Sequence, residues 1–305
     1  NYSMKAPRTR RNPVDESGGN PLSALLGTQP PVPERTAARL EDLEDVGDHL
    51  RQKVVILPDG ADPIPAWLLR PKGPPRRRPA MLCLHSTTHG SGKDVPVGLT
   101  GFEPGSPPVE SRSYALQLVR RGYVTLTPDL LCDGERVSPG LRPYDTREFY
   151  RRHPEQSAAG RIVWDCRRAI DLLETLEEVD AGRIGVIGHS HGAHYGLFAA
   201  VFDMRIRAAV CNGGVLYWSG KGDLRHWARG PEPPSMVHMP RMRSCYERGE
   251  TPCAFWELLA PLAPRPLLCM DGEQDGNHPQ VRETFEALRK VYARQGHEQA
   301  LAWFS

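Results

Sequence analysis

No stretch of the 305-residue chain approaches the roughly 18 consecutive apolar residues that mark a membrane-crossing helix, so no membrane partner is expected. The first residues, Asn1 to Arg11, lack the apolar core of a signal peptide; a cytoplasmic protein is the expectation. Charge of one sign is not in excess: the formal net charge is +2, which favours neither nucleic acid nor membrane. Lys5, Arg8, Arg10 and Arg11 make a short basic run without interleaved aromatics, and it reads as a solvated tail rather than a nucleic-acid arm. Cys83, Cys132, Cys166, Cys211, Cys245, Cys253 and Cys269 form an odd set with no CxxC pair and no zinc-like spacing to histidines. Several lie in apolar runs, which suits small core residues in a reducing compartment and excludes a disulfide framework. Internal repeats are absent as well.

What is present is the composition of a folded protein, 39% hydrophobic and 25% charged, in a chain long enough to bury a large core. The 30 prolines and 29 glycines imply many loops. Residues 1–35 are rich in Pro, Arg, Gly and Ser, with one apolar patch at Leu22–Leu26. They read as a flexible tail that packs, at most, by that patch. Residues 36–305 form the folded domain. Thr36 to Arg51 has helical periodicity, and two apolar runs across Pro58-Asp59-Gly60 read as an antiparallel hairpin. Strand-like and helix-like segments then alternate: strands at 80–84, 123–128, 183–188, 206–211, 266–270 and 299–304, with helices at 114–121, 161–176, 193–202, 255–260 and 281–295. Short strands separated by amphipathic helices predict an α/β fold, a mostly parallel sheet covered on both faces and carrying the antiparallel hairpin at one side. Residues 213–254 break the rhythm and are expected to be an insertion that caps the site.

The segment from Arg183 to His194 runs strand, Gly188-His189-Ser190-His191-Gly192, helix. In such a turn the glycines allow the backbone to bend sharply, and the serine hydroxyl projects above the carboxyl ends of the strands as a nucleophile. The helix N-terminus favours developing negative charge, and the His191 N–H is the expected first oxyanion donor. A second donor should come from the loop after the 80–84 strand, where Ser86 or Thr87 is the candidate. His85 ends that strand and is expected to touch substrate or to orient the loop. The His189, His191 and His194 rings, on or beside the sharp turn, read as packing residues. For a serine so placed, the acid follows a later strand and the histidine the next one. Asp275, beyond the 266–270 strand, is the candidate acid, with Asp271 and Glu273 as alternatives. The histidine is expected after the 299–304 strand, past Ser305. His278 and His85 are the alternatives within the chain, while His297 precedes that strand and belongs to its opposite end. Trp218, in the insertion, is a candidate substrate contact or, equally, a residue that packs the cap.

Four runs of the sequence then fit together: Pro79 to Thr88, Gly122 to Asp129, Trp164-Asp165 through Glu174, and the Ser190 turn. Ala263-Pro264-Arg265-Pro266 and Asp133-Gly134-Glu135-Arg136 fit beside them. Together they resemble the dienelactone-hydrolase-like and acetylxylan-esterase-like branch of the α/β-hydrolases, over roughly residues 50 to 305. The resemblance implies the α/β-hydrolase fold and hydrolysis of a small-molecule carboxylic ester through an acyl-enzyme, with no metal or organic cofactor. Two rivals stand beside it. A prolyl-oligopeptidase-type peptidase would need an N-terminal propeller, and the first 50 residues cannot hold one. A non-catalytic scaffold of the same fold would need no base.

Overall fold

The computed structural model describes residues 20–32, 36–58, 60–214, 217–218, 220–229, 236–272 and 279–304. Nine strands form one sheet: β1 Thr36–Asp45, β2 His49–Pro58, β3 Ile64–Pro71, β4 Arg78–Leu84, β5 Val124–Pro128, β6 Val179–His189, β7 Ile206–Asn212, β8 Leu267–Met270 and β9 Leu301–Phe304. Their order is β1-β2-β3-β5-β4-β6-β7-β8-β9. The first three pair antiparallel, as does β3 with β5, and every pair from β5 to β9 is parallel. The helices are α1 Pro21–Leu26, α2 Tyr114–Arg120, α3 Arg147–Arg152, α4 Ala158–Thr175, α5 His191–Phe202, α6 Gly220–Arg229, α7 Arg243–Arg248, α8 Phe255–Leu259 and α9 Pro279–Arg294.

The central strands read as apolar runs because helices cover both of their faces. Val124 to Pro128 is buried at every position. Leu82, Cys83 and Leu84 of β4 are buried in succession, and they divide between two core clusters. Leu82 and Leu84 join the larger cluster, with Ile162 and Ile170 of α4 and Phe198 of α5. Cys83 belongs to the smaller one, with Ala115 and Val119 of α2. A parallel sheet clad in this way collects its loops of opposite sense at opposite ends, so residues at the carboxyl ends of β4 to β9 share one edge.

One expectation needs correction. Thr36 to Arg51 is not a helix: residues 36–45 form β1, paired antiparallel with β2. The apparent helical period came from Leu43 and Val46, which are solvent-exposed rather than core. The run Glu41-Asp42-Leu43-Glu44-Asp45 instead lines the edge of the sheet with charge, a common protection of an unpaired strand edge, and the register shifts between Leu40 and Leu43. The apolar patch within residues 1–35 does pack, as α1. Asn20 caps that helix through its side chain, Pro21 begins it, and Leu22, Leu25 and Leu26 enter the main core. The Ser157 hydroxyl, itself the N-cap of α4, donates to the Leu26 carbonyl and ties α1 to α4.

Residues 213–254 lie between β7 and β8. Their described parts carry α6 and α7 and bury Leu224, Trp227, Met236, Met239 and Met242. The Ala159 N–H at the start of α4 donates to the His238 carbonyl at 3.0 Å, joining this segment to the α4 end. Among the described residues no helix is long and apolar enough to cross a membrane.

Candidate active site

Ser190 stands between β6 and α5 with φ 50° and ψ −113°, one of three non-glycine residues with positive φ among those described. Such a conformation costs on the order of 1–3 kcal/mol and persists only where surrounding contacts enforce it. Those contacts are visible. The Ser190 N–H donates to the Asn212 carbonyl at the end of β7 (2.8 Å), and the Ser190 carbonyl accepts from the Ala193 N–H (3.0 Å) and the His194 N–H (3.3 Å). A Cβ on Gly188 would overlap the Gly192 carbonyl group and stand 2.6 Å from the Ala193 nitrogen. One on Gly192 would overlap the Leu84 carbonyl and stand 2.5 Å from the His85 oxygen. Both glycines are therefore steric requirements of the turn. The second also shows that the start of α5 presses on the end of β4. The His191 N–H lies in the first turn of α5, where no intrahelical acceptor exists.

The strand ends on this edge are joined in sequence. Ser190 bonds to Asn212, the Gly213 N–H donates to the Met270 carbonyl (2.7 Å), and the Asp271 N–H donates to the Phe304 carbonyl (2.9 Å). The loop after β8 thus starts two strands from Ser190, roughly 10 Å away at ordinary strand spacing. Asp271 itself accepts from the Trp303 indole at 3.1 Å. Asp275 and His278, the expected acid and the alternative base, lie outside the described residues, as does Glu273.

The loop after β4 is held by buried polar groups. His85 is fully buried. Its Nε2 accepts from the Leu130 N–H (2.9 Å), so Nδ1 carries the hydrogen and donates to the Ser86 carbonyl (2.8 Å). With both ring nitrogens committed to backbone and no exposed surface, His85 is neither a substrate contact nor a base; it orients the loop. Ser86 is buried and Thr87 exposed. The next residue, Thr88, is anchored twice: its N–H donates to the Tyr144 hydroxyl (2.7 Å) and its hydroxyl donates to the Asp133 carboxylate. Tyr144 donates in turn to Asp133 (2.5 Å), which also accepts the Gly134 N–H (2.9 Å). Asp133 is fully buried. Three donors on one carboxylate make its burial tolerable without a cation. Tyr144 and Cys132 both have positive φ and are linked by a hydrogen bond from the Tyr144 N–H to the Cys132 carbonyl (2.7 Å). The far end of the loop rests on a buried ion pair, Lys93 Nζ to Asp129 at 3.0 Å, with the Lys93 N–H also donating to Asp129 (2.8 Å). Burial pushes the Asp129 carboxyl up, opposed by the Lys93 charge.

Behind Ser190 sits an aromatic cluster. The His191 ring makes edge contacts with Tyr144 (5.5 Å between centroids) and Tyr195 (4.8 Å) and a tilted contact with His238 (5.5 Å). Its Nε2 is buried with no hydrogen-bond partner among the described residues. Burial holds its pKa well below the ordinary histidine range, reinforced by His85, His194 and His226. A neutral ring that only packs leaves the backbone N–H of His191 as the group that can serve chemistry. His238 and Tyr144, which no motif marked, are the residues that sequence reasoning missed. Trp218 is not at the site surface: it is buried, its indole donates to the Cys253 carbonyl (2.9 Å), and it packs on Phe255 and Trp227.

The family model described as "Glucuronyl esterase, fungi" matches residues 140–227, a span that includes α4, β6 and the Ser190 turn. Among curated proteins, "Putative hydrolase YtaP" of Bacillus subtilis is 27% identical over 196 residues, covering 62% of this chain and 60% of its own length. The chain thus spans well under two thirds of that relative. Among solved structures, a Bacteroides fragilis protein described as a "putative acetyl xylan esterase" superposes with TM-score 0.68 at 20% identity, over 92% of this chain and 70% of that one. A glucuronoyl esterase from Solibacter usitatus superposes with TM-score 0.65 at 20% identity, over 89% and 76%. The chain has the α/β-hydrolase fold. In this fold the serine turn, the loop after β4 and the carboxyl end of β8 lie at one edge of the sheet, where such folds place their ligands.

Proposed function

We propose that the protein is a serine hydrolase that cleaves carboxylic esters through an acyl-enzyme at Ser190. One observation carries the reading: Ser190 holds a strained positive φ on a strand–turn–helix junction whose flanking glycines have no room for a Cβ. Strain of this kind has no packing benefit at a half-exposed serine, and it aims the hydroxyl above the strand ends. In the proposed reaction Ser190 Oγ attacks the ester carbonyl, and a histidine takes its proton and then hands it to the leaving alcohol. That histidine belongs to the loop that follows β9 in this fold, with His278 as the alternative, and Asp275 orients it. The His191 N–H and the Ser86 or Thr87 N–H hold the tetrahedral oxyanion. Water then attacks the acyl-enzyme and releases the acid. Residues 213–254 act as the cap. Acetyl and glucuronoyl esters of carbohydrates, the substrates named for the superposed structures, are the first classes to assay. The seven free cysteines support a cytoplasmic location.

Ser190→Ala should lower p-nitrophenyl acetate hydrolysis by about a thousandfold or more and abolish labelling by a fluorophosphonate, with the fold retained. Hydrolysis that survives the substitution overturns the assignment. A folded protein that extends past β9 far enough to hold that histidine, yet stays unlabelled and inactive, would favour the scaffold reading instead.

A further inference from the structure

The opposite edge of the sheet carries a second feature. A groove of about 300 Å³ is lined by five arginines, Arg76, Arg77, Arg78, Arg121 and Arg183, together with Tyr123, and by no acidic residue. The topology gathers them: Arg76 to Arg78 lead into β4, Arg121 and Tyr123 precede β5, and Arg183 lies on β6, three adjacent parallel strands. β6 then runs seven residues from Arg183 to Ser190. At about 3.3 Å per residue the groove lies roughly 23 Å from the serine turn, outside the proposed active site.

Arginines elsewhere in this protein are mostly matched by carboxylates: Arg51 with Glu44, Arg70 with Glu178, Arg120 with Asp48, Arg136 with Asp165. In the groove, among the described residues, Arg183 is paired with Asp180 at 2.6 Å, and that carboxylate also acts on Arg77 from farther away. Arg78 is 6% exposed, yet its guanidinium has a single hydrogen-bond acceptor there, the Lys72 carbonyl at 3.3 Å. Arg121 bonds only the Gln117 carbonyl. A buried guanidinium without an anion is costly, and clustering several without compensation adds mutual repulsion. An anionic ligand relieves both.

We infer that this groove binds a polyphosphate group, supplied either as a free oligophosphate or as the phosphate tail of a nucleotide. The cations lining it are all Arg, whose planar fork bonds phosphate and carboxylate oxygens in pairs. The small volume decides between those anions. Several guanidinium groups, four of them exposed, converge on it, and two linked phosphates bring about three negative charges into that space near neutral pH. A chain of sugar carboxylates brings one per ring and would spread beyond the groove.

Calorimetric titration of the whole protein with inorganic pyrophosphate, orthophosphate and ADP tests this at low salt. Saturable one-site binding of pyrophosphate is expected, at least about tenfold tighter than orthophosphate and weakening as salt rises. Equal affinity for ADP and pyrophosphate assigns recognition to the phosphates alone, and tighter ADP assigns it to a nucleotide. The double variant Arg76→Gln/Arg77→Gln, at two exposed positions, should weaken pyrophosphate binding at least about tenfold and leave ester hydrolysis unchanged; Arg121→Gln is an independent second variant. Absence of saturation at millimolar pyrophosphate overturns the inference. So do equal binding of orthophosphate, unchanged binding in both variants, or heat from duplex DNA with none from pyrophosphate.

Discussion

Lowering the pH from 7.5 to 5.5 should destabilise this protein through two buried histidines near Ser190. His191 and His238 are buried, and burial is the first cause holding each pKa well below the ordinary 6.5. The charges that reach them belong to other histidines, His85, His194 and His226 for the first and His226, His191 and His194 for the second. None is a carboxylate that could retain a proton. The sign follows from proton counting. Below 6.5 the unfolded chain binds protons at both side chains more readily than the folded chain, so the unfolded state binds more protons and stability falls with pH. The contribution is fully present above 6.5 and is lost as pH falls toward the folded values. Each group loses at most about 1.4 kcal/mol one unit below its unfolded pKa, so the pair loses up to about 2.8 kcal/mol at pH 5.5. At roughly 2 °C per kcal/mol for a chain of this size, Tm should drop by up to about 5–6 °C between pH 7.5 and 5.5. His153 leans the same way but is far less buried. Thermal unfolding followed by circular dichroism at constant ionic strength measures this, and His238→Gln, whatever its absolute stability, should halve the pH slope. A flat Tm across that range, or an undiminished slope in the variant, refutes the argument.

Two further outcomes follow from the loop and the turn. Tyr144→Phe removes the acceptor of the Thr88 N–H and one of three donors to the buried Asp133, which should cost about 2–5 kcal/mol in denaturant unfolding. Ester hydrolysis should fall in kcat more than KM as the loop loses its anchor; wild-type stability would show that the hydroxyl is not needed there. Gly192→Ala forces α5 away from the Leu84 and His85 carbonyls, an overpacking worth about 1–3 kcal/mol or more. Fluorophosphonate labelling of Ser190 should slow by at least about tenfold, and unchanged labelling in a folded variant refutes the steric account.

The sheet was legible wherever a strand is buried on both faces, because burial leaves a continuous apolar run, as in Ala80 to Leu84 and Tyr123 to Pro128. It was not legible in β1. That strand is an edge whose outer half is charged, and its few apolar residues fall three apart by chance, so periodicity reported a helix that no packing supports. α1 was missed for a related reason. Six residues are too few to display a helical period, and only the Asn20 cap with Pro21 at the first position gave a local signal. The tertiary contact of Leu26 with Ser157 then decided its place.

At the site, legibility follows the range of the cause. The Ser190 turn was readable because its pattern is local, glycines two residues to either side, although only Gly188 is confined by its own turn, while Gly192 is confined by the end of β4. The sequence left His85 and Trp218 open between touching substrate and a structural role because each side chain is satisfied by a distant group, the Leu130 N–H for one and the Cys253 carbonyl for the other. Tyr144 and His238 left no sequence signal, since Tyr144 meets the loop after β4 across 56 residues and His238 meets Tyr195 across 43. A side chain whose partner is that remote is fixed by topology, and the strand order that brings β4 beside β6 is what makes the loop after one strand and the serine turn after the other into a single site.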